Sequence, residues 1–154
     1  MKCLPIGLSM AVVLIGCRES SVRRSPGDPT AVLEFRIETS SQLTPAAVSF
    51  PDPSGKPILL QPNAVLRNSD IQSVVVEESH GRFTVGLRLV PSAAERLSRE
   101  TTGNVGRRMA VLIDGKVVVA PVIAGAIASQ ARIDAGFSRE EAYRVAHSLA
   151  PPAD

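Results

Sequence analysis

Aromatic side chains are scarce in this chain: four Phe, one Tyr and no Trp in 154 residues. Platforms that stack bases or sugars need exposed aromatic rings, so such ligands are disfavoured and the core has to be built mainly from Val, Ile, Leu and Ala. Cysteine is nearly absent. Only Cys3 and Cys17 occur, both near the N-terminus, which excludes an internal disulfide framework and a four-ligand zinc cage. The two histidines, His80 and His147, are not at metal-ligand spacing, and no H-E-x-x-H motif exists. A net charge of +2 is too small to mark a nucleic-acid surface. The apolar run 4–15 falls short of the about 20 residues needed to cross ~30 Å of hydrocarbon, and Pro5 and Gly7 weaken it further. These absences exclude a membrane span there and leave no obvious cofactor or metal chemistry.

The N-terminus is informative for what it contains. Lys2, the apolar run 4–15 and small residues at its end make a secretory signal peptide. The ending Leu14-Ile15-Gly16-Cys17 is similar to a bacterial lipobox. That resemblance implies removal of residues 1–16 and a diacylglyceryl group on Cys17, the new N-terminus. A plain cleaved signal with a chance cysteine is the competing reading. Each buried methylene contributes roughly 0.8 kcal/mol, and two chains hold firmly where one holds marginally. In such lipoproteins an aspartate after the cysteine usually marks inner-membrane retention. Arg18 stands there, so the expected address is the periplasmic side of the bacterial cell envelope, at the outer membrane. Residues 17–30, with Ser20, Ser21, Ser25, Pro26, Gly27 and Pro29, lack apolar periodicity and read as a flexible tether. Residues 31–150 are expected to form a single domain, followed by a short tail, 151–154.

Within the domain, residues 31–39 alternate as a half-buried strand. Residues 44–62 carry five prolines and read mainly as loop, with Ile58-Leu59-Leu60 as a short strand. Residues 71–78 and 82–90, separated by His80-Gly81, predict an antiparallel hairpin. Pro91-Ser92-Ala93-Ala94-Glu95 predicts a helix capped by Ser92 with Glu95, its face formed by Ala94, Leu97 and Thr101, ending at Gly103. A second hairpin joins 108–113 to 116–122 through Asp114-Gly115, a strong hairpin signal because both turn residues need positive φ. Residues 131–135 predict a last short strand. Ser138-Arg139-Glu140-Glu141 predicts a capping box opening a helix through Ala142, Val145, Ala146 and Leu149, stopped by Pro151-Pro152. The order implies an α+β fold: an antiparallel sheet built from hairpins with two helices packed on one face.

No constellation carries catalysis. His80 falls at a turn and His147 on a helix surface. Glu77 and Glu78 are adjacent strand residues pointing to opposite faces. Glu140 and Glu141 suit the positive end of a helix, and Asp114 and Asp134 have turn or strand-end explanations. Gly103-Asn104-Val105-Gly106-Arg107-Arg108 lacks the strand-before, helix-after setting of a phosphate loop, and the paired arginines read as solvated. The apolar stretch 116–122 is the first candidate for a binding strand, against a core role that burial preferences favour.

Leu66-Arg67-Asn68-Ser69-Asp70-Ile71, the block from Thr101 through Gly103-Asn104-Val105-Gly106-Arg107-Arg108-Met109-Ala110-Val111-Leu112-Ile113-Asp114-Gly115-Lys116, then Ala120-Pro121-Val122-Ile123, Ile133, Gly136-Phe137-Ser138 and Glu140-Glu141-Ala142 together resemble the SecD family, in the head subdomain of its first periplasmic domain. The resemblance begins near residue 50. It implies a stand-alone head module that contacts polypeptide, exported chains or an envelope protein, with the Sec translocon as a partner. The family's pump helices are not matched. Ser129, Gln130 and Ala131 stand where the family tends to have glycines, which puts that turn in question. The expected function is thus a non-enzymatic, lipid-anchored binding module without cofactor or metal. The alternative is a structural envelope lipoprotein that packs into a larger complex with no export role.

Overall fold

A computed structural model describes residues 18–25, 27–28, 30–40 and 43–151. The expected signal peptide, 1–16, and the lipid site Cys17 lie outside the described residues, as does most of the tail. The elements are β1 (Arg18–Val22), β2 (Leu33–Ile37), β3 (Val48–Pro51), β4 (Pro57–Leu60), β5 (Leu66–Arg67), a 3₁₀ turn (Asn68–Asp70), β6 (Ile71–Ser79), β7 (Arg82–Leu89), α1 (Pro91–Thr102), β8 (Met109–Ile113), β9 (Lys116–Val119), β10 (Gln130–Phe137) and α2 (Arg139–Leu149).

The α+β class holds, with antiparallel pairing throughout, but the strands form two four-stranded sheets and a separate hairpin. The first sheet is ordered β1-β6-β7-β10 and the second β5-β2-β8-β9, while β3 pairs β4. Both predicted hairpins are present. His80 (φ 51) with Gly81 (φ 75) turns β6 into β7, and Asp114 (φ 51) with Gly115 (φ 76) turns β8 into β9, the left-handed pair that matches strand twist. One continuous core joins Val74, Val76, Val85 and Leu87 of the first sheet to Leu33, Phe35, Ile37, Met109 and Val111 of the second. Ala93 and Leu97 of α1 and Ala142, Ala146 and Leu149 of α2 close it. Each large aliphatic or aromatic side chain fully buried there contributes about 1.5–3 kcal/mol.

β8 reads Met109-Ala110-Val111-Leu112-Ile113, buried at its first four positions. A strand without alternation is covered on both faces. Met109 and Val111 face the main core, while Ala110 and Leu112 join Ile58 and Leu60 in a second, smaller core. The hairpin β3–β4 supplies that second layer. It forms despite Pro51, Pro53 and Pro57 because the prolines fall at strand ends and in the turn, where no ladder donor is needed. The region 44–62 is therefore more structured than its prolines suggested.

Four other local expectations shift. The capping box at α2 is as predicted: Glu141 N–H donates to Ser138 Oγ and Ser138 N–H to Glu141 Oε2. The one at α1 is absent. The cap there is Val90, without a side-chain bond, and Pro91 sits at the first helical position, where its missing N–H costs nothing. The α1 face that is fully buried is Ala93, Leu97 and Thr101, with Ala94 at its margin. β10 runs for eight residues instead of a short stretch, with a register shift between Ile133 and Phe137 beside Gly136 at φ 69. Ser129-Gln130-Ala131 needs no glycine turn, since the strand begins at Gln130 and the Ser129 carbonyl accepts from Leu89 N–H at 3.1 Å.

The largest departure is at the N-terminus. Arg18–Val22, expected as part of a flexible tether, is a strand on the edge of the first sheet, with Arg18 opposite Glu78 and Val22 opposite Val74. Periodicity did not flag it because Val22 is its one apolar residue and is buried. Backbone pairing to β6 supplies the rest.

Candidate binding surface

Of the side chains singled out by sequence, Glu77, Glu78, His80 and Asp134 border one open depression at the hairpin end of the first sheet, with Arg82 and Arg132 between them, while His147 and Asp114 lie elsewhere. His80 is exposed at its turn, its Nδ1 3.0 Å from Ser79 Oγ. His147 is exposed on α2, its Nδ1 2.8 Å from the Tyr143 carbonyl. Glu77 pairs with Arg132 at 3.1 Å on the outer face of the first sheet, and Glu78 lies beside Ser20, Arg139 and Tyr143 on the other. Asp114 accepts from Val32 N–H at 2.8 Å, and Asp134 pairs with Arg82 at 3.3 Å. Among the described residues no group of three or more His, Cys, Asp or Glu is placed to hold a metal ion. The crevice at Gly86, bounded by Val75, Glu77, Arg88 and Arg132, is about 20 Å³, the size of a single water.

Arg107 and Arg108 have different fates. Arg107 is half-buried in the loop ahead of β8. Arg108, read as solvated, is instead clamped across the second sheet. Its guanidinium reaches Glu38 at 3.0 Å and Asp52 at 3.2 Å, tying β2 and β8 to the β3–β4 turn. Arg36 makes a parallel link: it pairs with Glu34 at 2.9 Å, donates to the Pro62 carbonyl at 2.7 Å and lies 5.9 Å from the Phe50 ring centre. Local reading missed Arg108 because its partners lie 70 and 56 residues away.

This cluster has a pH signature. The Ser54 hydroxyl, the Lys56 and Ser54 N–H groups and Arg108 hold Asp52 at about 2, down from 3.8. Hydrogen bonds from Arg108 hold Glu38 below 4.5. Both folded values are depressed, so the stabilisation is fully present above about pH 4.5 and is lost as pH falls toward about 2. Urea unfolding followed from neutral pH down to about pH 3 is expected to show this acid limb. Arg108→Met should shrink it by removing the Glu38 part while leaving Ser54 on Asp52. An unchanged limb in the variant would show that Arg108 is not coupled to these carboxylates.

The candidate strand 116–122 divides between two jobs. Val117 and Ala120 pack on the small core and Val118 and Val119 on the main one, so β9 is chiefly structural. Beyond it, residues 120–128 read Ala-Pro-Val-Ile-Ala-Gly-Ala-Ile-Ala, nine positions without a polar side chain. Ile123 is buried, Ile127 is half-buried, and Pro121, Val122, Ala124, Ala126 and Ala128 are exposed. Four bonds pin the strip, the first from Met109 N–H to the Pro121 carbonyl (2.9 Å). Ile123 N–H donates to the Arg107 carbonyl (2.8 Å), Gly106 N–H to the Ile123 carbonyl (2.9 Å) and Ile127 N–H to Thr101 Oγ1 (2.9 Å). Those bonds draw Val105 alongside, 56% exposed against 61% for Val122. Apart from the Arg108–Val122 bridge, no strand pairing involves residues 120–129 among the described residues. The glycine loop 103–106, weighed as a nucleotide clamp, thus serves to end α1 and to brace this strip.

Residues 41–151 match the family model described as the SecDF P1 head subdomain. The Aquifex aeolicus protein translocase subunit SecD is 32% identical over 113 residues, 72% of this chain and 23% of that protein. The Thermus thermophilus protein translocase subunit SecDF is 33% identical over 132 residues, 75% of this chain and 18% of that protein. The chain therefore spans about a quarter or less of the length of these relatives. A solved structure described as that of a membrane component SecDF that enhances protein export superposes with a TM-score of 0.60 at 29% identity, covering 79% of this chain and 62% of the other. SecDF in its super-membrane-facing form gives 0.60 at 30% identity, covering 77% and 18%. Among the described residues no helix is long and apolar enough to cross a membrane.

Proposed function

The chain belongs to the SecD family through its P1 head subdomain, and from that premise we propose a non-enzymatic binding module, moored by a lipid on Cys17 and facing the periplasm, that contacts polypeptide during protein translocation. The observation that carries it is the exposed apolar strip 120–128 with Val105. A side-chain-poor apolar segment beside a sheet offers backbone groups and apolar contacts to an extended chain, the chemistry of strand addition. Such contact does not depend on partner sequence, which suits a module that meets many exported chains. Relatives named as protein translocase subunits support the setting.

A photo-reactive residue at position 122, in the lipidated protein in living cells, tests the reading. It should capture unfolded exported chains or translocon subunits, and Ala126→Asp, at an exposed position of the same strip, should cut that capture several-fold without unfolding the domain. Capture confined to one fixed envelope complex would replace the proposal with the structural lipoprotein.

A further inference from the structure

We propose that the domain is moored without a leash, with one defined end pressed to the lipid headgroups. The inference rests on the lipid reading of Cys17 and on the placement of β1. Consecutive Cα atoms are about 3.8 Å apart, so Cys17 lies one step from Arg18, which is paired with Glu78 at the end of β6. β1 is antiparallel to β6, so its first residue, Arg18, stands at the end of the sheet that carries the hairpin tip at His80-Gly81. The same end of the first sheet holds the close of β10, where Phe137 pairs Phe83, and the first turn of α2, whose Arg139 and Tyr143 lie beside Ser20 and Glu78. Acyl chains entering a bilayer from Cys17 bring all three of these features to its surface.

The side chains at this end suit an interface that the lipid, not charge, holds in place. Arg82 and Asp134 pair at 3.3 Å with side chains 73% and 49% exposed, and Arg132 pairs with Glu77. Both signs are interspersed, so the end neither needs nor repels anionic headgroups. The opposite end of the sheet, where Gln130 meets Arg88 and Ile71 meets Leu89, stands roughly 25 Å off, the span of a nine-residue strand. Ala128, at the end of the apolar strip, is held at that far end beside Ala94 and Ser98 of α1. The mooring thus keeps that end of the binding strip in the aqueous space, away from the lipid.

The test uses the full lipidated chain in vesicles of phosphatidylethanolamine and phosphatidylglycerol carrying a headgroup nitroxide quencher. With Cys3 removed with the signal and Cys17 lipidated, His80→Cys or Ala128→Cys supplies a single thiol for a fluorophore. Quenching at position 80 is expected to be several-fold stronger than at 128. Val22→Asp, which unseats the buried residue of β1, should equalise the two. Equal quenching in the otherwise unaltered chain, or asymmetry that persists in Val22→Asp, overturns the placement. Mass measurement and vesicle flotation are read on the same samples. A chain without diacylglyceryl mass overturns the lipid reading and the placement together, whereas a chain that floats and quenches equally overturns the placement alone.

Discussion

Phe35→Ala is expected to lower the unfolding free energy by about 3–5 kcal/mol, the upper range for emptying a packed aromatic site. Phe35 is 1% exposed at the middle of β2. Its neighbours across the sheet are Leu66 of β5 and Val111 of β8, and its carbonyl accepts from Val65 N–H at 2.7 Å. Strands on both sides fix the backbone, so the surrounding residues cannot collapse into the space the ring leaves, and the cavity adds to the lost transfer energy. Denaturant unfolding at neutral pH measures the loss. Val32→Ala, three residues away just before β2 and 56% exposed, is the matched control and should change stability by less than about 0.5 kcal/mol. A loss under about 1 kcal/mol at Phe35 would mean that the site relaxes and that the two sheets do not share one rigid core.

What could be read from the chain was local. The turns at His80-Gly81 and Asp114-Gly115 are set by residues that tolerate positive φ, and the cap of α2 by Ser138 and Glu141 three positions apart. Each signal lies within a few residues of its effect. The features that escaped depend on distant partners. β1 exists because β6 offers it an edge, and only Val22 betrays it. The β3–β4 hairpin exists because Ala110 and Leu112 present a second apolar face, and its prolines disguised it. The continuous apolar run of β8 was a signal for that second layer, since a strand buried on both sides cannot alternate. The binding surface was half legible. The strand 116–122 drew attention for its apolar character, and its last two residues, Pro121 and Val122, are indeed exposed, but the rest of the exposed strip lies further on, among alanines and a glycine. Arg108 shows the same limit: two adjacent arginines look alike in sequence, and only the fold brings Glu38 and Asp52 to one of them.

Cys17→Ser is expected to move the protein from the membrane pellet almost wholly to the soluble fraction. The reasoning is additive in acyl chains. Each buried methylene contributes roughly 0.8 kcal/mol, one chain binds with a constant of only about 10⁴ M⁻¹, and stable residence needs a second. The folded part offers no substitute. Among the described residues no helix is long and apolar enough to cross a membrane, and the end of the first sheet that holds Arg18 carries paired charges of both signs, which give little net attraction to anionic lipid. The oxygen-for-sulfur exchange is nearly isosteric and falls before β1, so the fold and the acid limb set by Glu38 and Asp52 should be untouched, and the soluble variant should unfold at the same urea concentration as the lipidated chain. Fractionation with that unfolding curve separates the two roles proposed for the N-terminus: Cys17 for attachment, Arg18–Val22 for orientation. Membrane pelleting that survives Cys17→Ser would place the anchor elsewhere and leave β1 as nothing more than an edge strand.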